Sequence, residues 1–321
     1  MSGPGSGRLR WALRAAQAAW FVAVVVYAGH FAATRWAEFR AQPWRVGASW
    51  LALALVLSLL RRLLGALRWM LLARFGRGPA APGESLPFLR AYFLSNLAAY
   101  VPGSVWYIPS RIHLSRATGM TALHSSAAIA YEMGLLVWTG LLLSAYCLAL
   151  KIGASPGGGA GVLATAAALS AVPLYPRAAS WAARTLLRLL RRPRDLAAVP
   201  ARWAASVWLA SVGVWACSGL SLLALLKGLD PAVPGSRALF VTSAAAAAWS
   251  AGFLAPWAPS GLGVREGMLA WLLEGLAAGP VIAVAVVGAR LLTILEDVVW
   301  ALVALFLPEG RSRDAAVRSS D

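Results

Sequence analysis

The chain has few of the groups on which soluble enzymes rely. Of its 321 residues only 13% are charged, and the acids number 12. That is too few to cover a soluble domain, whose charged share is about 25%. Lysine occurs twice, at Lys151 and Lys227. Cysteine also occurs twice, at Cys147 and Cys217, both inside apolar segments, so neither a disulfide framework nor a cysteine metal site is expected. The three histidines, His30, His113 and His124, lack HExxH-type spacing, and no metal or other cofactor is expected.

What is present is apolar. Hydrophobic residues make up 60% of the chain, with a mean hydropathy of +0.68. Runs long enough to cross about 30 Å of hydrocarbon recur, so the chain reads as one polytopic membrane domain over residues 1–307 with a short cytoplasmic tail at 308–321. The net charge of +17 is nearly all arginine, placed beside apolar runs where it anchors to anionic lipid and sets topology, so nucleic acid is not the expected partner. Arginine in place of lysine, with abundant alanine and glycine, fits a GC-rich bacterial genome.

The first run, residues 15–33, follows Arg8, Arg10 and Arg14 and reads as a retained helix. A second run from Val46 to Leu60 extends through "RRLLGALRWMLLARF", whose arginines are expected to snorkel to the interface. Further runs cover about 123–150, 158–175, 203–226, 238–255 and 281–307. "AAAAA" at 244–248 and "ATAAALSA" at 164–171 suit tight helix packing, and "WAARTLLRLLRR" at 181–192 reads as an interfacial helix.

Between Arg61 and Arg90 lie six arginines and one acid, Glu84; between Arg177 and Arg202 lie seven and one, Asp195. Both stretches are therefore assigned to the cytoplasm, with both termini. "KIGASPGGGAG" at 151–161 is assigned outside, and the loop from Arg35 to Arg45, with three arginines, dissents. On this topology residues 86–120 dip in from one side and 238–279 from the other. The expected fold is an all-α polytopic membrane protein with about six full transmembrane helices plus two oppositely oriented re-entrant helical hairpins, like an inverted repeat.

Each hairpin contains a proline-glycine break followed by arginine. In the first, Pro102 and Gly103, and again Pro109, interrupt the helix before Arg111; in the second, Pro259, Gly261 and Gly263 precede Arg265 and Glu266. A helix restarting near Val264 presents amides to an anion, and with Arg111 or Arg265 nearby such a place suits a phosphate. Other intramembrane charges are Glu132, Arg290, Glu296 and Asp297. Arg290 and Asp297, seven residues apart, share a helix face. They form either a structural ion pair, with Glu296 as the alternative acid, or part of a polar chamber. Glu132 is a partner for Arg111 or Arg265, or a proton-coupling group. Asn96 is either packing glue across the hairpin or a ligand contact.

"SNLAAYVPGSVWYIPSR", the glutamate of "IAYEMG", "APSGLGVREGML" and "GARLLTILEDVVWALVAL" resemble the lysylphosphatidylglycerol synthase transmembrane-region family, the flippase part of the bacterial multiple peptide resistance factor. Residues 259–266 carry the most specific likeness; residues 105–109 depart from it. The resemblance implies a bacterial inner-membrane module that translocates lipids, with anionic phospholipid or polyprenyl-linked lipid as partner and a separate lipid-modifying enzyme or glycosyltransferase as a further candidate. Fused family members append a soluble aminoacyl-transferase domain; residues 308–321 leave no room for one, so this chain is not expected to aminoacylate lipid. The leading expectation is a translocase in which Arg111 and Arg265 attract a lipid phosphate in one shared chamber and the acids gate it. The rival is an intramembrane enzyme using His113 or His124 with Glu132 on a lipid-phosphate headgroup; a third reading is a non-transporting partner of a cell-envelope enzyme.

Overall fold

The computed structural model describes residues 15, 19–26, 29–30, 33–44, 46–75, 83, 85–100, 106–153, 155–172, 200–255 and 257–309. Pro102, Gly103, the 181–192 segment, Glu84, Asp195 and most of the tail lie outside them. Among the described residues all named elements are helical: α1 (Trp36–Ala41), α2 (Ala48–Ala73), α3 (Leu86–Leu97), α4 (Tyr107–Ser115), α5 (Ala122–Lys151), α6 (Pro156–Ser170), α7 (Ala201–Leu229), α8 (Ala238–Phe253), α9 (Val264–Leu273) and α10 (Gly279–Leu305). Residues 19–26 are helical as well.

Helices α2, α5 and α7, of 26, 30 and 29 residues, are long and apolar enough to cross a membrane. Helix α10 has 27 residues, roughly 40 Å at 1.5 Å per residue, and carries Arg290, Glu296 and Asp297 along that length. The chain is a multi-pass, all-α membrane protein. Local signals explain several helix starts. The Thr121 side chain accepts from the His124 amide at the head of α5, and Ser155 accepts from Gly158 at the head of α6, whose first residue is Pro156.

The long helices are ordered by hydrogen bonds between their ends. Gly47 N–H donates to Gly228 O at 2.8 Å, where α2 starts and α7 finishes, and Trp203 Nε1 donates to Leu71 O at 3.0 Å, where the reverse holds. These two helices are therefore antiparallel neighbours. In lipid the hydrophobic effect does not drive helices together, so close packing of small residues must do so. A Cβ on Gly219 would collide with Thr242 of α8, and one on Gly228 would come within 3.2 Å of the Trp50 side chain. The alanine run 244–248 is buried throughout, as its composition implied.

Four shorter helices form two pairs. Helices α3 and α4, of 12 and 9 residues, pack on each other, as do α8 and α9, of 16 and 10. At roughly 1.5 Å per residue, none but α8 exceeds about 20 Å, short of a full hydrocarbon crossing. Phe88 of α3 and Met120, just past α4, belong to one apolar cluster with Trp69, Leu72 and Ala304. Val241 of α8 and Leu273 of α9 belong to another with Leu226 and Val281. The turns of the two pairs meet: Ser260 Oγ donates to Ala99 O at 3.3 Å.

Two details differ from the sequence expectation. Pro109 does not break a helix; it is the third residue of α4, where an N–H would lack an intrahelical acceptor anyway, so proline costs no bond. Arg61, Arg62 and Arg68 do not snorkel either. They lie within α2, with Arg68 2% exposed and the side chains of Arg61 and Arg62 at 17% and 14%, so they carry no weight as loop charges in the topology argument.

Candidate functional site

The intramembrane charges fall into three groups. The first is fully enclosed. Glu132 on α5 accepts from Arg68 Nη2 on α2 at 2.9 Å and from Arg111 Nη1 on α4 at 2.8 Å. Arg111 spends its other donors on Ser95 Oγ (2.9 Å) and Asn96 Oδ1 (2.8 Å) of α3, and its guanidinium lies over the rings of Tyr92 and Trp69 at 4.3 and 5.0 Å. Cation–ring contact and ion pairing together replace the hydration that burial removes. This network ties the first short-helix pair to α2 and α5.

The second group joins α2 to α10. Glu296 accepts from Arg61, from Arg62 at 2.9 Å and from Ser58 Oγ at 2.6 Å; Asp297 takes Arg62 at 2.7 Å and the Tyr100 hydroxyl at 2.8 Å. Two acids thus meet two arginines, and the charges balance. Tyr100 stands at the turn of the first pair, so this group holds that turn against α10.

The third group surrounds the turn of the second pair. Ser260, Gly261 and Gly263 take φ of 53°, 70° and 82°, the left-handed region where glycine is at ease and serine is strained. Gly261 has a second constraint, since a Cβ there would sit 2.9 Å from Gly252 Cα. Helix α9 starts at Val264, and Glu266 accepts from the Gly263 amide at 2.7 Å, capping it. Trp20 Nε1 donates to Leu262 O, which brings the first apolar run against this turn. Arg290 lies 3.8 Å from Glu266 and 3.5 Å from Ser260 O.

Arg265 is different. Among the described residues it forms no hydrogen bond and no ion pair. It lines a cavity of about 30 Å³ with Ser58, Arg61, Ser218, Ser221 and Thr293, and a second of about 20 Å³ with Glu266 and Arg290. Each is large enough for one or two waters, since roughly 10–15 Å³ admits one.

Against the sequence reading, Glu132 pairs with Arg111 and not with Arg265. Arg290 pairs with neither Asp297 nor Glu296; both acids are taken by α2, and Arg290 faces Glu266. Asn96 bonds across the first pair. The single chamber expected for Arg111 and Arg265 is not what the packing gives, because Arg111 is 2% exposed and lines neither cavity. Pro259 lies in the turn of the second pair, as expected. Arg61, Arg62, Arg68, Ser58 and Tyr100 escaped the sequence reading. Their signal was present: Ser58, Arg61, Gly65, Arg68 and Leu72 recur at three- and four-residue intervals on one face of α2, and three deep acids require that many partners.

A family model for the lysylphosphatidylglycerol synthase TM region matches residues 11–300. The chain belongs to this family. No curated protein matches it. The family match runs from before the first apolar run to Trp300, so all three charge groups lie inside it. As a member of the lysylphosphatidylglycerol synthase TM region family, the chain is a membrane protein related to lipid modification or translocation.

Proposed function

We propose that this chain is a bacterial inner-membrane lipid translocase, and that its phosphate-binding cation is Arg265. The observation that carries the reading is an arginine without an ion-pair partner among the described residues, lining a cavity near the turn of the second short-helix pair. Charged groups deep in a membrane cost a few kcal/mol and are normally paired or exposed to an aqueous path. Arg68, Arg111, Arg61 and Arg62 follow the first course. Arg265 is left for a ligand, and the start of α9 adds amide dipoles of the same sign.

The two short-helix pairs act in this reading as re-entrant hairpins from opposite membrane faces, with irregular backbone confined to where they meet. Protein surrounds it there, as the bilayer could not. The cavities as they stand admit water but no phosphate, so transport in this reading requires them to open. Opening requires the Ser260–Ala99 and Tyr100–Asp297 contacts to part. The acyl chains stay in the bilayer while the headgroup crosses. Glu132 is better suited to holding helices together than to catalysis, since an arginine engages each of its oxygens and neither His113 nor His124 bonds to it; the enzymatic reading is therefore not favoured.

The test uses purified protein in vesicles with a headgroup-labelled anionic lipid, scored by chemical quenching from outside. Wild type should exchange label between leaflets, and Arg265→Ala should fall to near the protein-free rate while Arg40→Ala, on the exposed short helix α1, does not. Equal rates for Arg265→Ala and wild type would refute the assignment.

A further inference from the structure

The lining beside Arg265 also limits which headgroup can enter. It presents two guanidinium groups, Arg61 and Arg265, and four hydroxyls, Ser58, Ser218, Ser221 and Thr293. No carboxylate lines this cavity. The acids nearby are engaged: Glu296 and Asp297 by Arg61, Arg62, Ser58 and Tyr100, and Glu266 by the Gly263 amide and Arg290. An ammonium group brought here would meet the uncompensated guanidinium of Arg265, an Arg61 already balanced by Glu296, and no free acid, so the net field it meets is of its own sign. A phosphate meets the opposite situation, and neutral hydroxyls on the headgroup would find partners in the serine and threonine side chains. Ser218 makes no hydrogen bond among the described residues and is free to supply one.

We infer that the transported lipid is an anionic phosphodiester whose headgroup carries hydroxyls and no ammonium, and that aminoacylated or ethanolamine-bearing lipids are rejected. This rests on the translocase reading above and narrows it, because the family to which the chain belongs is named for a lipid bearing a lysyl ammonium. Discrimination comes from the cavity charge, so an added acid should weaken it. Ser218→Glu would place a carboxylate among the same lining residues.

The experiment compares leaflet exchange of phosphatidylglycerol, phosphatidylethanolamine and lysylphosphatidylglycerol by wild-type protein in otherwise identical vesicles, with entry of soluble glycerol phosphate as a separate arm. Phosphatidylglycerol is expected to exchange at least about tenfold faster than either amine-bearing lipid, a difference of about 1.4 kcal/mol or more. The Ser218→Glu protein should narrow that ratio. Comparable exchange of all three lipids, abolished by Arg265→Ala, would overturn this inference and leave the translocase reading standing. Exchange of none, or entry of glycerol phosphate without lipid movement, would overturn the translocase reading itself.

Discussion

Removing Glu132 is the most exacting perturbation this fold offers. Its carboxylate is fully buried and sits between Arg68 and Arg111, each 2% exposed, at 2.9 and 2.8 Å. Glu132→Ala leaves two enclosed guanidinium groups with no counter-ion, and breaking a buried pair from one side costs about 3–5 kcal/mol. At roughly 2–4 °C per kcal/mol for chains of a few hundred residues, the unfolding midpoint should drop by about 6–20 °C. Intrinsic tryptophan fluorescence during heating in detergent would follow this directly. A second variant separates charge from shape: Arg68→Met, Glu132→Leu and Arg111→Met together remove the whole network, and such replacements are often neutral or stabilising. The triple variant should melt within a few degrees of wild type and still exchange lipid, because the network is a fastening and lies away from the cavity. A Glu132→Ala protein as stable as wild type would refute the burial argument, and a stable triple variant without exchange would show that the network contributes to transport.

Four further outcomes follow from the same geometry. Arg265→Met removes an unpaired cation from a partly buried site, so it should raise the melting midpoint by a degree or more while abolishing lipid exchange; a lower midpoint would mean that the cation has a partner in the resting protein. Tyr100→Phe deletes a hydrogen bond to a carboxylate, a bond worth about 1.5–3 kcal/mol, so thiol labelling of a Ser218→Cys reporter should speed up by about tenfold or more if that bond holds the closed state. Gly261→Ala combines a φ of +70° with a 2.9 Å approach to Gly252 and should lower stability by at least about 1 kcal/mol, measured by the same melting assay. Ala99→Cys with Ser260→Cys should cross-link on mild oxidation and stop exchange, reversibly on reduction; efficient cross-linking with undiminished exchange would show that the two turns do not separate.

Periodicity and composition carried the long helices well. The expected runs at 123–150, 203–226 and 281–307 match α5, α7 and α10 to within about three residues, because runs of leucine, alanine and valine with glycine, proline or serine at their ends leave little choice. The restart of α9 at Val264 was legible for a similar reason, since Gly261 and Gly263 supply backbone angles that other residues resist. Partner choice was not legible. Arg290 and Asp297 share a face of α10, yet a shared face does not decide which neighbour each meets, and that depends on the placement of α2 and α9. Arg61, Arg62 and Arg68 were misread because an arginine next to an apolar run has the same local sequence whether it reaches the interface or a buried acid. Only the distant acids at 132, 296 and 297 distinguish the two.

On the proposed translocase reading, the partition of charge between the two short-helix pairs bears on which of them would move. Arg111, in the first pair, is held by Glu132, Ser95, Asn96 and two aromatic rings, and Tyr100 at its turn is bonded to Asp297. Displacing α4 would break several charge-assisted bonds in a medium without water to replace them. Apart from the 2.8 Å bond that Leu262 O accepts from Trp20 Nε1, the second pair has lighter ties at its turn: a 3.3 Å bond from Ser260, a 3.5 Å bond from Arg290 and a 3.8 Å ion pair to Glu266. Each is long for its type, and Ser260 holds a backbone angle that relaxes if the turn is released. A population shift needs only that a ligand prefer one state over the other, and on the proposed reading phosphate at Arg265 would supply such a preference to α9 and not to α4. On the proposed translocase reading, the larger movement therefore belongs to α8 and α9 and a smaller one to the Tyr100 turn, working against a frame of α2, α4 and α5 that the Glu132 ion pairs hold together.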